Sequence, residues 1–117
     1  MSPLANQIYK QLRRRVRTKQ PSITYAGLAD ALDYRFSMHP RSSRLHAALT
    51  EVTEACRRHS LPCLPAIVWR ANTRRPSVGY FKVAHPRAQT DDARVAAWER
   101  EHARVLRDVD QFPASID

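Results

Sequence analysis

The residues able to do nucleophilic or metal chemistry are few in this chain. It has two cysteines, Cys56 and Cys63, and no Cys-x-x-Cys pair. The five histidines are scattered along the sequence: His39, His46, His59, His85 and His102. This spacing does not predict a structural zinc site. We therefore predict no bound metal and no other cofactor. A disulfide between the two cysteines is not expected either, because the chain is expected to be cytosolic.

The acidic residues do not form a catalytic set. They occupy positions that helix surfaces and helix starts require, and no base is paired with them. Six of the 11 acidic residues lie at such positions: Glu51, Glu54, Asp91, Asp92, Glu99 and Glu101. The chain has only 2 glycines, and therefore no Gly-rich loop to cradle a phosphate. We expect a protein that is not an enzyme.

Positive charge is the most informative property of the composition. The chain has 20 basic and 11 acidic residues, a net charge of +9, and only three of the basic residues are lysine. Arginine binds phosphate bidentately and stacks on bases, which favours a nucleic-acid partner. A high-GC bacterial genome produces the same Arg-rich composition, so charge alone leaves both interpretations open.

A first helix is predicted near the N-terminus. Pro3 suits its first turn, and Pro21 ends the segment. Its apolar face repeats every four residues: Leu4, Ile8, Leu12 and Val16. The opposite side is basic: Lys10, Arg13, Arg14, Arg15, Arg17 and Lys19. A run of this kind is either a solvated face or a surface that contacts phosphates.

Three further elements are predicted before residue 60. Ile23, Thr24 and Tyr25 favour a short strand, and Thr24 can cap a helix that ends at Leu32. Residues 33–40 have no clear period and are predicted to be a loop. A long helix follows over residues 42–59, capped by Ser42 or Ser43. Its apolar stripe includes one cysteine, which we interpret as a small core residue: Leu45, Leu49, Val52 and Cys56.

Two strands joined by a basic turn are predicted next. Residues 64–70 include a continuous apolar run, typical of a buried strand, and residues 78–83 are predicted to be the returning strand. Residues 71–77 form the turn between them. The tip of this hairpin carries Arg70, Arg74 and Arg75.

The order helix, short strand, helix, helix, two-stranded wing is that of a winged helix-turn-helix. We therefore predict an α+β, mostly helical fold for residues 1–84, with a linker over residues 85–90. A C-terminal helix over residues 91–112 is predicted from its Thr90 cap and from an apolar stripe that includes Trp98 and Phe112. This helix either packs on the same domain or forms a homodimer with a second copy.

These elements predict a surface for duplex DNA. A recognition helix presents its N-terminal residues to base edges, and a wing lies along the phosphate backbone. The residues predicted to contact DNA on these grounds are Arg41, Ser42, Ser43, Arg44, His46, Arg70, Asn72, Arg74 and Arg75. The alternative is a protein partner, because Glu51 and Glu54 lie on the outward face of the long helix. No apolar run reaches the roughly 20 residues of a membrane helix, so we expect a cytoplasmic protein without a membrane partner.

Two stretches resemble methylguanine-DNA alkyltransferases. Ile23-Thr24-Tyr25-Ala26-Gly27-Leu28-Ala29 is similar to the family pattern [IV]-[ST]-Y-x-x-L-A. Leu61-Pro62-Cys63-Leu64-Pro65-Ala66-Ile67-Val68, followed by Gly79-Tyr80, is similar to I-P-C-H-R-V-V … G-x-x-G-Y. The resemblance covers roughly residues 1–83 and implies the winged helix of the family's DNA-binding half. It also implies that Tyr25 lies beside a DNA phosphate and that Cys63 stands at the alkyl-acceptor position.

The chain departs from the family where the chemistry takes place. Leu64 stands where the family has the histidine that activates the thiol, and Pro65 stands in place of the following arginine. The Arg-Ala-Val-Gly motif is not reproduced, since His46 occupies the position of its glycine. The resemblance therefore implies binding without alkyl transfer, with a lesion-binding relative as a remote alternative.

Nearly the whole chain is also similar to a set of small uncharacterised bacterial and phage proteins. Their pattern is ITYxELA … GLPxLxALVV … PGxGFF, followed by an acidic-aromatic helix. Residues 61–68, residues 76–81 and Trp98 with Glu99 fit this pattern. The resemblance implies a role beside mobile-element or defence systems.

Overall fold

Helices make up most of the protein. The computed structural model describes residues 1–32, 36 and 38–116. Its α-helices are α1 (Pro3–Val16), α2 (Tyr25–Ala31), α3 (Ser43–Arg58), α4 (Val78–Ala84) and α5 (Asp91–Arg107). Its strands are β1 (Ile23–Thr24) and β2 (Val68–Trp69), and its 3-10 helices include Leu64–Ile67 and Val109–Gln111. The predicted α+β, mostly helical class is confirmed. In the described chain no helix is long and apolar enough to cross a membrane. Half of the predicted loop over residues 33–40 lies outside the described residues.

Four helices begin where the sequence predicts, because a hydroxyl caps each one. A capping oxygen accepts a backbone N–H that has no partner within the helix itself. The four bonds are Ala5 N to Ser2 Oγ (3.1 Å), Gly27 N to Thr24 Oγ1 (3.0 Å), Arg44 N to Ser42 Oγ (3.2 Å) and Ala93 N to Thr90 Oγ1 (3.1 Å). The starts of α1, α2, α3 and α5 are therefore set locally.

The core lies around the 3-10 helix Leu64–Ile67. All four of its residues are buried, and it packs against α1, α3 and α5. The apolar faces of α1 and α3 pack on the 3-10 helix and on each other. Cys56, which was predicted to lie on the apolar stripe of α3, is fully buried. Burying a side chain such as Ile67 stabilises the fold by roughly 2 kcal/mol before entropic costs.

The prediction of one strand over residues 64–70 is wrong for its first part. Pro65 stands in the first turn of the 3-10 helix, where its fixed φ angle fits and its missing N–H costs nothing. Ala66 N donates to Cys63 O at 3.0 Å and closes this turn. Only Val68 and Trp69 continue as β2. The apolar run was a poor guide, because a fully buried segment shows no periodicity that separates strand from helix.

The predicted hairpin is also wrong. Residues 78–83, predicted to be its returning strand, form α4, which starts after Pro76 and buries Tyr80 and Phe81. Strand β2 pairs instead with β1, in parallel, with Ile23 opposite Val68. A parallel pair needs a crossover, and here α2 and α3 lie between the two strands in sequence. Residues 70–77 are the loop between β2 and α4 rather than the tip of a wing.

The C-terminal segment packs on the rest of the same chain. The Trp98 indole N–H donates to Ala66 O at 2.8 Å inside the core. Phe112 is buried, and its carbonyl accepts from Arg13 Nε at 2.9 Å. Helix α5 ends at Arg107, and the 3-10 turn Val109–Gln111 carries the chain on to Phe112, so the predicted helix over residues 91–112 is shorter than expected.

A carboxylate on α3 holds the start of α1. Glu51 Oε1 accepts from the Ser2 backbone N–H at 2.9 Å, and Glu51 Oε2 accepts from the Ser2 hydroxyl at 2.8 Å. These hydrogen bonds hold the pKa of Glu51 below its usual value. The contact ties the N-cap of α1 to the middle of α3, across 49 residues of sequence.

Glu51→Ala should lower the free energy of unfolding by about 1 kcal/mol at neutral pH, because it removes two hydrogen bonds from a solvent-screened carboxylate. Since folding lowers the pKa of Glu51, this contribution is present above the unfolded-state pKa and is lost as pH falls through the folded-state pKa. Urea titrations at pH 7 and pH 3 measure both effects. Glu54→Ala, on an exposed side chain one turn away, is the control and should change little. If both variants lose the same free energy of unfolding, the contact between Glu51 and Ser2 does not stabilise the fold.

Candidate nucleic-acid interface

An open groove of about 840 Å³ lies where the N-terminal ends of α2, α3 and α4 meet the loop after β2. We call it the basic groove. Its lining residues are Thr24, Tyr25, Ala26, Pro40, Arg41, His46, Arg70, Ala71, Asn72, Ser77, Val78 and Gly79. Helix N-termini carry partial positive charge and unpaired N–H groups, so their convergence favours an anion in the groove.

The groove brings together half of the predicted DNA-contacting residues. Those that line it are Tyr25, Arg41, His46, Arg70 and Asn72. The other five lie beside it in sequence but are not part of its lining: Ser42, Ser43, Arg44, Arg74 and Arg75. Ser42 is occupied as the N-cap of α3, whereas Ser43 and Arg44 are exposed in its first turn. The groove thus joins the two segments, residues 41–46 and 70–75, that the sequence singled out separately.

The groove is positively charged without an acidic counterpart. No carboxylate belongs to its described lining. Within the described chain, neither Arg41 nor Arg70 forms an ion pair. Arg75 differs, because its Nη1 lies 3.3 Å from Asp91 Oδ2 at the surface, and this pair occupies part of the charge predicted to face DNA. Arg41 and Arg70 are therefore the arginines of the groove best placed to meet an anion.

Tyr25 joins the three helices that form the groove. It is 9% exposed, its hydroxyl donates to Ser77 Oγ at 3.1 Å, and Ser77 N donates back to the hydroxyl at 2.9 Å. Its ring centroid lies 5.1 Å from that of His46 on α3. Burial raises the pKa of Tyr25, so the phenol stays neutral and keeps its proton for the hydrogen bond. Tyr25 thus fixes the spacing of α2, α3 and α4.

The loop that carries Arg70 is closed by its own backbone. Arg70 N donates to Arg75 O at 2.8 Å, and Arg74 N donates to Arg70 O at 2.8 Å. Arg74 has a φ of 56°, in the left-handed region that residues with a Cβ rarely adopt. These bonds give residues 70–75 a defined shape, although the hairpin predicted for them does not form.

A smaller cavity of about 180 Å³ adjoins the groove between α3 and α4. The two share four lining residues: Tyr25, His46, Ser77 and Gly79. The remaining lining residues are Ala47, Leu49, Thr50, Thr53, Pro65, Val68, Tyr80 and Val83. Sequence reasoning missed this cavity. A usable pattern was the spacing of Thr50 and Thr53 four and seven residues after His46, which places all three on one face of α3.

Cys63 is a buried thiol rather than an exposed nucleophile. Its sulfur donates to Thr53 Oγ1 at 3.5 Å, and its backbone N–H donates to Glu101 Oε2 at 3.1 Å. Burial raises the pKa of the Cys63 thiol to about 12. Burial likewise raises the pKa of Cys56 to about 11. Neither cysteine has the electropositive, accessible setting that produces a reactive thiolate.

The two glutamates of α3 do not line the groove or the cavity. Glu51 is bonded to Ser2 on α1, whereas Glu54 is exposed. The sequence-based argument for a protein partner placed both residues on an outward docking face. The engagement of Glu51 within the fold removes one of them from that face.

Comparison with protein-family models, with curated proteins and with solved structures found no match for this chain.

The cysteines should resist thiol reagents in the folded protein. Burial raises the pKa of the Cys63 thiol to about 12, so the thiol stays protonated at pH 8. Iodoacetamide treatment followed by mass spectrometry should show no labelling of the native chain over an hour and two labels in urea. Ser115→Cys introduces an exposed thiol as an internal control and should be labelled in both states. Rapid labelling of native Cys63 would show that its thiol is accessible and ionised.

Proposed function

We propose that this chain is a non-catalytic protein that binds duplex DNA through the basic groove. One observation carries the proposal: residues predicted from two distant segments, including Arg41 and Arg70, line a single groove whose described lining contains no carboxylate. DNA presents a phosphate charge about every 1.7 Å of helix axis, and Arg side chains pair with phosphate oxygens bidentately.

Each part of the groove has a role in this proposal. Arg41 and Arg70 contact phosphates on either side of the groove and fix the register of the duplex. The first turn of α3, with Ser43, Arg44 and His46, approaches base edges end-on, and α2 with α3 acts as the helix-turn-helix pair. The loop over residues 70–77 takes the place that the sequence assigned to a wing.

The setting of Cys63 supports binding without catalysis. Alkyl transfer to a cysteine requires a thiolate, and burial raises the pKa of the Cys63 thiol to about 12. Its sulfur contacts Thr53, and Leu64 follows where the alkyltransferases have the activating histidine.

The combined variant Arg41→Gln and Arg70→Gln should weaken duplex binding and flatten its salt dependence. Two lost phosphate contacts should lower the slope of log K against log salt by about 2. Fluorescence anisotropy with a duplex of mixed sequence, at several salt concentrations, measures affinity and slope together.

The matched control is Lys82→Gln with Arg87→Gln, which removes the same charge from exposed positions outside the groove. It should keep nearly the wild-type slope. If both double variants lose affinity equally, net charge rather than the groove binds DNA. If the wild-type chain shows no duplex binding at low salt and micromolar protein, the proposed function is wrong.

A second candidate is a lesion-binding relative of the alkyltransferases that accepts one extrahelical base. The observation that favours it is the 180 Å³ cavity, which shares Tyr25, His46, Ser77 and Gly79 with the groove. Its volume is below the roughly 300–1,000 Å³ of sites for drug-sized ligands, so it suits a single ring system rather than a nucleotide. Thr50 Oγ1 donates to His46 O at 3.2 Å and so presents an acceptor to the edge of a base, whereas Thr53 Oγ1 accepts from Cys63 and keeps its own proton to donate.

This candidate predicts tighter binding to a duplex with one O6-methylguanine than to the unmodified duplex. Flipping a base costs a few kcal/mol, and less at a damaged pair, so the modified duplex should bind at least several-fold better. Thr50→Val should reduce this preference while leaving binding to the unmodified duplex unchanged. Equal affinity for both duplexes would leave the groove function intact and remove the lesion function. The mass of the protein should stay constant throughout, since no group is transferred.

A further inference from the structure

We propose that a second surface, on α1, binds the phosphate backbone of another DNA duplex, so that one copy of the chain holds two duplexes together. This inference rests on the proposed function of the basic groove, which holds the first duplex. The surface is an open hollow of about 410 Å³, here called the α1 hollow. It is lined by Lys10, Arg13, Arg14, Arg17 and Ala114.

The α1 hollow gathers its charge on one helical face. Its four basic residues are spaced by three, four and seven residues from Lys10, so they are neighbours on the helix surface. The opposite face is buried in the core through Ile8, Leu12 and Val16. Like charges at these spacings repel one another, and a bound polyanion removes that repulsion.

No acidic residue within α1 offsets this charge. The first acidic residue of the whole chain is Asp30, well beyond the end of α1. Asp108 and Asp110 lie closer in sequence to Ala114, but neither lines the hollow. The Asp108 carboxylate is bonded by Arg107 Nε at 2.9 Å and Arg107 Nη2 at 3.0 Å. A helix face held only for solubility normally mixes both signs of charge, as α5 does with Glu101 and Arg104.

The side chains of the hollow are available for a ligand. The side chains of Lys10, Arg14 and Arg17 form no hydrogen bond or ion pair with any residue that the structure describes. Arg13 is held in place, because its Nε donates to Phe112 O at 2.9 Å. Arg15 shows the contrast, since its Nε and Nη2 both donate to Ser22 O and hold the end of α1 to the start of β1.

The α1 hollow and the basic groove are separate surfaces. Their lining residues have no member in common. The groove is built by the starts of α2, α3 and α4 and the loop after β2, whereas the hollow is built by the second half of α1, its C-cap Arg17 and Ala114. In the proposed arrangement, the first duplex occupies the groove and the second lies on the hollow.

The chemistry of the hollow fits a nucleic-acid backbone better than a lipid surface. Three of its four cations are arginine, which pairs with phosphate in a planar, two-pronged geometry. Binding of a surface helix to a membrane is strengthened by large apolar side chains that enter the lipid. Among the described residues, the large apolar side chains that are exposed are Val78 and Leu106, and neither lines the hollow.

The experiment captures one duplex on beads, adds the protein, and measures retention of a second, fluorescent duplex. The wild-type chain should retain the second duplex. Lys10→Gln, Arg14→Gln and Arg17→Gln together should abolish this retention while the bead-bound duplex still holds the protein. Glutamine is a good helix former and these positions are exposed, so the variant should fold.

The matched control is Lys82→Gln, Arg87→Gln and Arg100→Gln, which removes the same charge from exposed positions outside both surfaces. It should retain the second duplex as the wild type does. Equal loss in both triple variants would overturn the proposal in favour of a net-charge effect. Retention that survives the α1 variant would also overturn it, because two associated copies would then hold one duplex each.

Two further measurements separate this inference from the function of the groove. If the wild-type chain binds one duplex but never retains a second, the α1 inference fails and the groove function stands. If it binds no duplex at all, both fail. Vesicles with an anionic phospholipid test the other source of phosphate: binding to vesicles that depends on Lys10, Arg14 and Arg17, without retention of DNA, would overturn the assignment to a duplex.

Discussion

The burial of the 3-10 helix Leu64–Ile67 is the constraint on which the rest of the structure depends. A segment placed at the centre of a core must have its backbone polar groups paired, since each one left unpaired costs roughly 1–3 kcal/mol. Within this segment the turn pairs Cys63 O with Ala66 N. Val68 N donates to Pro65 O. Helix α5 pairs two further groups, since the Trp98 indole N–H donates to Ala66 O and Glu101 Oε2 accepts from Cys63 N. Helix α5 is therefore an integral part of the core.

The position of this buried segment determines where the residues of the basic groove lie. The chain leaves the 3-10 helix directly into β2, which pairs in parallel with β1. Because both strands run in the same direction, the residues that follow them, Tyr25 and Arg70, emerge at the same end of the pair. The Tyr25 hydroxyl then fixes Ser77 at the start of α4. A change in the core beneath β2 would thus alter the spacing of charges in the groove without touching an arginine.

The sequence was a good guide where structure is local and a poor one where tertiary contacts decide. Ser2, Thr24, Ser42 and Thr90 cap helices through short-range bonds, so four helix starts could be predicted from residue type and apolar spacing. The apolar run after Cys63 and the segment after Ser77 have no such local determinant. Both were predicted to be strands, whereas tertiary burial makes the first a 3-10 helix and the second α4. Arg41 and Arg70 were identified from charge, and Tyr25 from a family resemblance. Thr50 and Thr53 were overlooked, because polar residues on a helix ordinarily face solvent.

The excess positive charge has consequences for stability as well as for binding. A net charge of +9 on a small domain opposes compaction through self-repulsion. In the basic groove the described lining contains no acidic residue that relieves this repulsion, and the N-terminal ends of three helices add partial positive charge. An anion that binds only the folded chain stabilises it by mass action, about 2.7 kcal/mol at a hundred times its dissociation constant. If a polyanion binds the groove as proposed, it relieves this repulsion, and fold stability and binding are then coupled through the same arginines.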